Sequence, residues 1–231
     1  MSGPTVLIPG LACSSRLYAE QLPALWRLGP VMVANHARDD SMAAIARRIL
    51  VEAPERFALA GLSMGGYICM EIMRQAPGRV LKLALLDTQA WPDTPEQSER
   101  RRAQIAMAER GGLIEVIDQL YPLFVHRRRW QDEPLRQLVE LMAHEVGAEA
   151  FVRQQQAIMG RADSRPSLPA IGCPTLVLVG EGDELTPPDR AREMADAIPQ
   201  AQLVIVPGSG HLSPLEEPEA VTAALRAWLQ S

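Results

Sequence analysis

Three side chains in this sequence have the type and the setting for acyl-transfer chemistry. Ser63 sits in Gly61-Leu62-Ser63-Met64-Gly65, a Gly-x-Ser-x-Gly pattern. An apolar run, Phe57-Ala58-Leu59-Ala60, leads into it, and a helix-compatible run to Gln75 follows. Strand, sharp turn, helix is the setting that lifts a serine hydroxyl above a sheet and aims the positive end of a helix dipole at it. The flanking glycines let neighbouring backbone pass where a Cβ would clash. A serine hydroxyl is a poor nucleophile at neutral pH, so it requires a base within hydrogen-bond reach and a group that fixes the tautomer of that base. His211, in the flexible run Gly208-Ser209-Gly210-His211, is the candidate base. Asp183, after Gly180-Glu181-Gly182, is the candidate acid that orients it.

Rivals exist for two of these roles. Asp87 also ends an apolar run and stands as a substitute acid, and Glu181 is a weaker rival from the Asp183 loop. Asp183 is preferred because it follows the apolar run just before that of His211. His36 follows an apolar run and could line a pocket, although a solvated position is the plainer expectation. His126 and His144 lie in helical sequence as surface or packing residues. Negative charge developing on an attacked carbonyl is best met by fixed backbone dipoles. The expected donors are the N–H of Met64, directly after the serine, and that of Leu11 in the turn Pro9-Gly10-Leu11-Ala12.

The elements that must position these residues are legible as periodicity. Thr5 to Pro9, Val31 to Ala34, Phe57 to Ala60, Val80 to Leu86, Thr175 to Val179 and Leu203 to Val206 are short continuous apolar runs, as strands buried on both faces require. Helical sequence fills most of the gaps, including Ser14 to Arg27 (which Pro23 could split), Ser41 to Val51 after an N-cap, Pro188 to Ile198 and Pro214 to Leu229. Strands alternating with helices demand right-handed crossovers and a parallel sheet covered on both faces, with the site at the carboxyl ends of the strands. Ser63, Asp183 and His211 all follow expected strand ends. From Trp91 to about Arg165 charge rises and helical periodicity dominates, with breaks expected near Gly111-Gly112, Pro122, Pro134 and Gly147. This stretch reads as an insertion of four or so helices. The expected division is a core of residues 1–90 and 166–231 and a helical cap of residues 91–165.

Composition bounds the rest. At 231 residues one domain with an insertion is the default, and 47% hydrophobic residues is ordinary for a globular chain. A net charge of −5 argues against nucleic acid or an anionic membrane as partner. No apolar run approaches the ~20 residues of a membrane span, and no signal peptide is visible, so a cytoplasmic protein is expected. Cys13, Cys69 and Cys173 are scattered and odd in number, which fits free thiols rather than a disulfide framework, and their spacing matches no zinc pattern. No metal or cofactor is expected. The expected partner is a small-molecule ester or related acyl compound, with the protein a monomer or homodimer.

The chain resembles the α/β-hydrolase superfamily, in particular the compact cap-bearing serine hydrolases that include carboxylesterases, enol-lactonases and C–C bond hydrolases. Pro9-Gly10-Leu11, Gly61 to Gly66, Gly180 to Asp183 with Pro187-Pro188, and Gly210-His211 with Glu217-Pro218 carry the resemblance. It implies Ser63 as nucleophile, His211 as base, Asp183 as acid, Leu11 and Met64 as oxyanion donors, and residues 91–165 as a cap over the pocket. Relatives usually carry two more strands before the oxyanion turn, so a six-stranded sheet with the Val31 strand at its edge is expected. Relatives also often place His where Pro9 stands, which removes a side chain from the pocket mouth. The implied activity is hydrolysis of a small carboxylic ester through an acyl-enzyme. A C–C bond, lactone or thioester hydrolase with the same residues is the alternative, and a ligand receptor with an idle triad is an alternative of another class. Apolar insertion residues such as Leu120, Leu123, Phe124, Trp130 and Met142 could line the pocket or simply hold the cap together, packing being the commoner role. Cys13 is expected at the pocket border. The run Arg127-Arg128-Arg129 could receive a substrate carboxylate, although an arginine run is usually a solvated face.

Overall fold

The computed structural model describes residues 3–231. The six apolar runs form β1 (Thr5–Ile8), β2 (Val31–Val33), β3 (Phe57–Leu62), β4 (Val80–Leu86), β5 (Thr175–Gly180) and β6 (Ala201–Val206). All are parallel, in the order β2-β1-β3-β4-β5-β6. The Val31 strand is therefore an edge, as expected, and β6 is the other. Every residue of β1, β3 and β5 is buried, which is why those sequences are unbroken apolar runs rather than alternating ones.

The helices are α1 (Leu22–Trp26), α2 (Met42–Glu52), α3 (Met64–Gln75), α4 (Pro95–Glu109), α5 (Leu113–Phe124), α6 (Glu133–Val146), α7 (Ala148–Met159), α8 (Pro188–Ala197), α9 (Ser213–Glu216) and α10 (Pro218–Gln230). Alternate residues of each strand face opposite layers. Val6 and Ile8 join Ile45, Ile49, Ile68 and Met194, so α2, α3 and α8 cover one face. Leu7 joins Leu25, Leu225 and Trp228, so α1 and α10 cover the other. Each such fully buried aliphatic side chain contributes about 1.5–3 kcal/mol relative to exposure.

Several helix boundaries follow local chemistry. Ser41 caps α2, its hydroxyl accepting the Ala44 N–H at 3.3 Å. Gly147, at φ 81°, ends α6 where an L side chain would be strained. Others differ from expectation. Pro122 lies inside α5, two residues before its end, rather than between helices. Pro134 opens α6, because the first turn of a helix has no use for the N–H that proline lacks. The Ser14 to Arg27 stretch is a 3₁₀ turn at Ser15–Tyr18 followed by the short α1. The closing helix is divided, with Pro218 starting α10 afresh after α9. Four helices, α4 to α7, separate β4 from β5 and pack mainly on one another, with α5, α6 and α7 joining the core layer of α1 and α10.

Candidate active site

β3 ends at Leu62 and α3 begins at Met64, leaving Ser63 as a one-residue connection. Its φ is 55°, a left-handed value that costs a non-glycine residue of order 1–3 kcal/mol. The surroundings over-determine this strain. Ser63 N–H donates to Leu86 O at 2.9 Å, and its carbonyl accepts from Thr88 Oγ1 at 2.8 Å and from Gly66 N–H at 2.9 Å. Two glycines make the crossing possible. A Cβ on Gly61 would stand 2.3 Å from Gly65 O, and one on Gly65 would stand 2.1 Å from Ile8 O. Helix α3 can reach the sheet at this height only without those atoms.

The imidazole of His211 lies between the other two residues singled out. Its Nε2 is 2.8 Å from Ser63 Oγ, and its Nδ1 is 2.8 Å from Asp183 Oδ2. Asp183 is fixed in turn: Oδ1 accepts the N–H groups of Leu185 and Thr186, both at 2.9 Å, and Oδ2 also accepts the Thr186 hydroxyl at 2.7 Å. Burial lowers the basicity of His211, but the Asp183 carboxylate more than offsets this and raises the imidazole above its ordinary value of 6.5. Phe124 stacks on the ring at 6.4 Å between centroids.

Asp87, the substitute acid, is also buried at the carboxyl end of its strand. Its Oδ1 accepts Gly180 N–H at 2.8 Å, and its Oδ2 pairs with Ser213 Oγ at 2.5 Å. It makes no hydrogen bond with His211. Burial, reinforced by the negative charge of Asp183, pushes its carboxyl well above the usual range. Glu181 is exposed and accepts Gly208 N–H at 3.2 Å. A carboxylate that the sequence reading passed over does shape the His211 loop. Glu216, rather than its neighbour Glu217, is buried and accepts N–H groups of His126, Gly210 and Leu212 at 2.7, 2.9 and 3.2 Å. Glu217 pairs instead with Arg128 at the surface.

The turn after β1 supplies the remaining polar groups. Cys13 N–H donates to Gly10 O at 3.1 Å, and Ala12 holds a left-handed φ of 56°. Among the described residues neither Leu11 N–H nor Met64 N–H has an acceptor, so both are free for a ligand oxygen. A residue of α7 holds the turn from above: the fully buried Gln154 accepts Ala12 N–H through Oε1 at 3.0 Å. Its Nε2 meets His36 Nε2 at 3.1 Å, and that nitrogen also lies 2.9 Å from Gly10 O. His36 is therefore buried behind the turn rather than solvated, and burial lowers its pKa to about 4, so it is neutral. Nothing in the periodicity of α7 marks Gln154, since a polar residue inside a helix is ordinarily solvated.

A pocket of about 330 Å³ opens over Ser63 and His211. Gly10, Leu11 and Cys13 border it from the β1 turn, and Leu120, Leu123 and Phe124 line it from α5. Trp130 and Met142 do not reach it. The Cys13 thiol is buried, which raises its pKa to about 12 and leaves it unreactive. Arg127–Arg129 form a 3₁₀ turn away from the pocket, with Arg128 on Glu217 and Arg129 on Asp132. The described cysteines are free thiols. Among the described residues no group of three or more His, Cys, Asp or Glu side chains could hold a metal ion, and no helix is long and apolar enough to cross a membrane.

Comparison with known proteins agrees with this architecture. A model of the alpha/beta hydrolase family matches residues 5–224. The chain belongs to that family and is a hydrolase. A solved thermophilic esterase from Thermogutta terrifontis, with malate bound, is similar over 98% of this chain and 89% of its own, at 31% identity and a TM-score of 0.90. A pimeloyl-(acyl-carrier protein) methyl ester esterase from Nitrosomonas europaea is 26% identical over 98% of this chain and 96% of its own length. The enol-lactonase from Burkholderia xenovorans LB400, at 24% identity and a TM-score of 0.89 over 100% of this chain and 92% of its own, shares the fold.

Proposed function

We propose that this protein hydrolyses a small carboxylic ester through an acyl-enzyme on Ser63. The observation that carries the reading is the placement of the His211 ring, 2.8 Å from Ser63 Oγ on one side and 2.8 Å from Asp183 on the other. In this reading Asp183 accepts Nδ1–H and so leaves Nε2 unprotonated, facing the hydroxyl. Ser63 Oγ attacks the carbonyl carbon as its proton passes to Nε2. The oxygen that becomes negative is received by the N–H groups of Leu11 and Met64. Asp183 stabilises the imidazolium through the same contact that raises its pKa. Collapse expels the alcohol, which takes the proton from Nε2. Water then attacks the acyl group, gives a proton to Nε2, and Ser63 recovers it as the acid leaves. Residues 91–165 serve as the cap that closes the pocket over residues 1–90 and 166–231.

The test is turnover of p-nitrophenyl butyrate by the wild type and by Ser63→Ala. The expected loss in kcat is about 10⁴ to 10⁶-fold, the range for removal of such a nucleophile. A wild type that shifts its melting temperature with ligand but releases no p-nitrophenol would replace this reading with that of a receptor.

A further inference from the structure

The pocket has two chemically different walls. Helix α5 contributes Ile117, Leu120, Leu123 and Phe124, all apolar. Helix α4 contributes Gln97, Arg100, Arg101 and Gln104, all polar. Two more polar groups face the pocket on that side without a hydrogen-bond partner among the described residues. They are the Gln89 carboxamide, on a residue only 8% exposed, and the Tyr67 hydroxyl, on one only 6% exposed. Both line the pocket, so they are available to a polar ligand there.

The charge there is positive. Asp93 is shared between Arg101, at 2.7 Å, and Arg161, at 2.5 Å. Arg161 is buried, lies 4.4 Å over the Tyr67 ring, and has an unpartnered Nη2. Arg100, at the mouth, makes no ion pair or hydrogen bond among the described residues, and Glu96, one turn earlier, feels its charge while bonding at the helix N-terminus. Three guanidiniums against the carboxylates of Asp93 and Glu96 leave one positive charge in excess on this wall, while Glu184 lines the pocket from the loop after β5. The geometry points to an anion subsite: the ester cleaved at Ser63 carries a carboxylate, held by Arg100 with Gln89, while its apolar part lies against α5. This substrate class rests on the esterase reading above. Arg100 and Gln89 are its specificity determinants, Arg100 opening the run Arg100-Arg101-Arg102 of α4.

The experiment compares monomethyl glutarate with dimethyl glutarate by pH-stat, and titrates glutarate calorimetrically into the same proteins. The wild type is expected to favour the mono-anion in kcat/KM and to bind glutarate more weakly as salt rises. Arg100→Gln is expected to lower the ratio of the two kcat/KM values and the glutarate affinity, each about tenfold or more, as loss of a charge-assisted contact does. Arg100→Lys is expected to retain part of both, and Gln89→Leu to lower the ratio without touching the charge. Glutarate binding that depends on Arg100, with neither ester turned over, would end the esterase reading and leave the subsite standing. Equal turnover of both esters with no glutarate binding, or a ratio unmoved in Arg100→Gln, overturns the subsite.

Discussion

Replacing Asp183 by Asn changes one atom and inverts the logic of the site. Asn Oδ1 keeps the N–H groups of Leu185 and Thr186, both at 2.9 Å, so the loop retains its geometry. The amide nitrogen then occupies the place of Oδ2, 2.8 Å from His211 Nδ1. It can only donate, so Nδ1 must accept and the ring proton moves to Nε2. That nitrogen faces Ser63 Oγ at 2.8 Å and loses its lone pair for the serine proton. The loss combines one charge-assisted hydrogen bond, about 1.5–3 kcal/mol, with the cost of the wrong tautomer. A fall of about 10³ to 10⁴-fold in kcat is expected, or about 4–5.5 kcal/mol at 1.36 kcal/mol per decade. The pH profile supplies a second readout. Ester hydrolysis requires neutral His211, whose pKa lies above 6.5 because Asp183 offsets burial. In Asp183→Asn the main offset to burial is gone, so the residual acid limb moves to lower pH. Melting temperature should hold, because both backbone contacts persist. Asp183→Asn within tenfold of wild type, with Asp87→Asn inactive, would refute the assignment and make Asp87 the acid.

Gln154→Leu removes the acceptor for Ala12 N–H while keeping volume, and frees the left-handed turn to relax. A fall of about tenfold in kcat with KM nearly unchanged is expected in steady-state kinetics, and kcat within twofold of wild type would show that the turn holds itself. Glu216→Ala leaves three N–H groups, two of them buried, without an acceptor, at about 1 kcal/mol each, so a melting temperature lower by roughly 6–12 °C is expected by calorimetry. Burial raises the Glu216 pKa from 4.5 to about 6, so the folded state holds this proton more tightly than the unfolded state. Its contribution is therefore fully present below pH 4.5 and is lost as pH rises to about 6, a slope that denaturation of Glu216→Gln should lack.

The β-runs and the glycines around Ser63 act over a few neighbours, so their meaning is local and readable. His211 and Asp183 were found because parallel strands put every carboxyl end on one edge, which turns topology into proximity. The misreadings share one cause. His36 reads as solvated and Glu216 carries no signal, because burial at loop positions depends on what packs there from elsewhere. Pro122 and Pro134 looked like helix breaks, but tolerance of proline depends on its position within a helix whose bounds were not yet known.

Sequence alone determined the strand-turn-helix around Ser63, the six parallel strands and the identity of the three residues at their ends, because each rests on short-range sterics and periodicity. Only the tertiary structure decided that Asp87 is buried against Gly180 and Ser213, how Gln154 reaches a turn 142 residues away, and that α4 presents guanidiniums to a pocket whose other wall is apolar. Those outcomes depend on where separate elements come to rest against one another, and no local pattern encodes that distance.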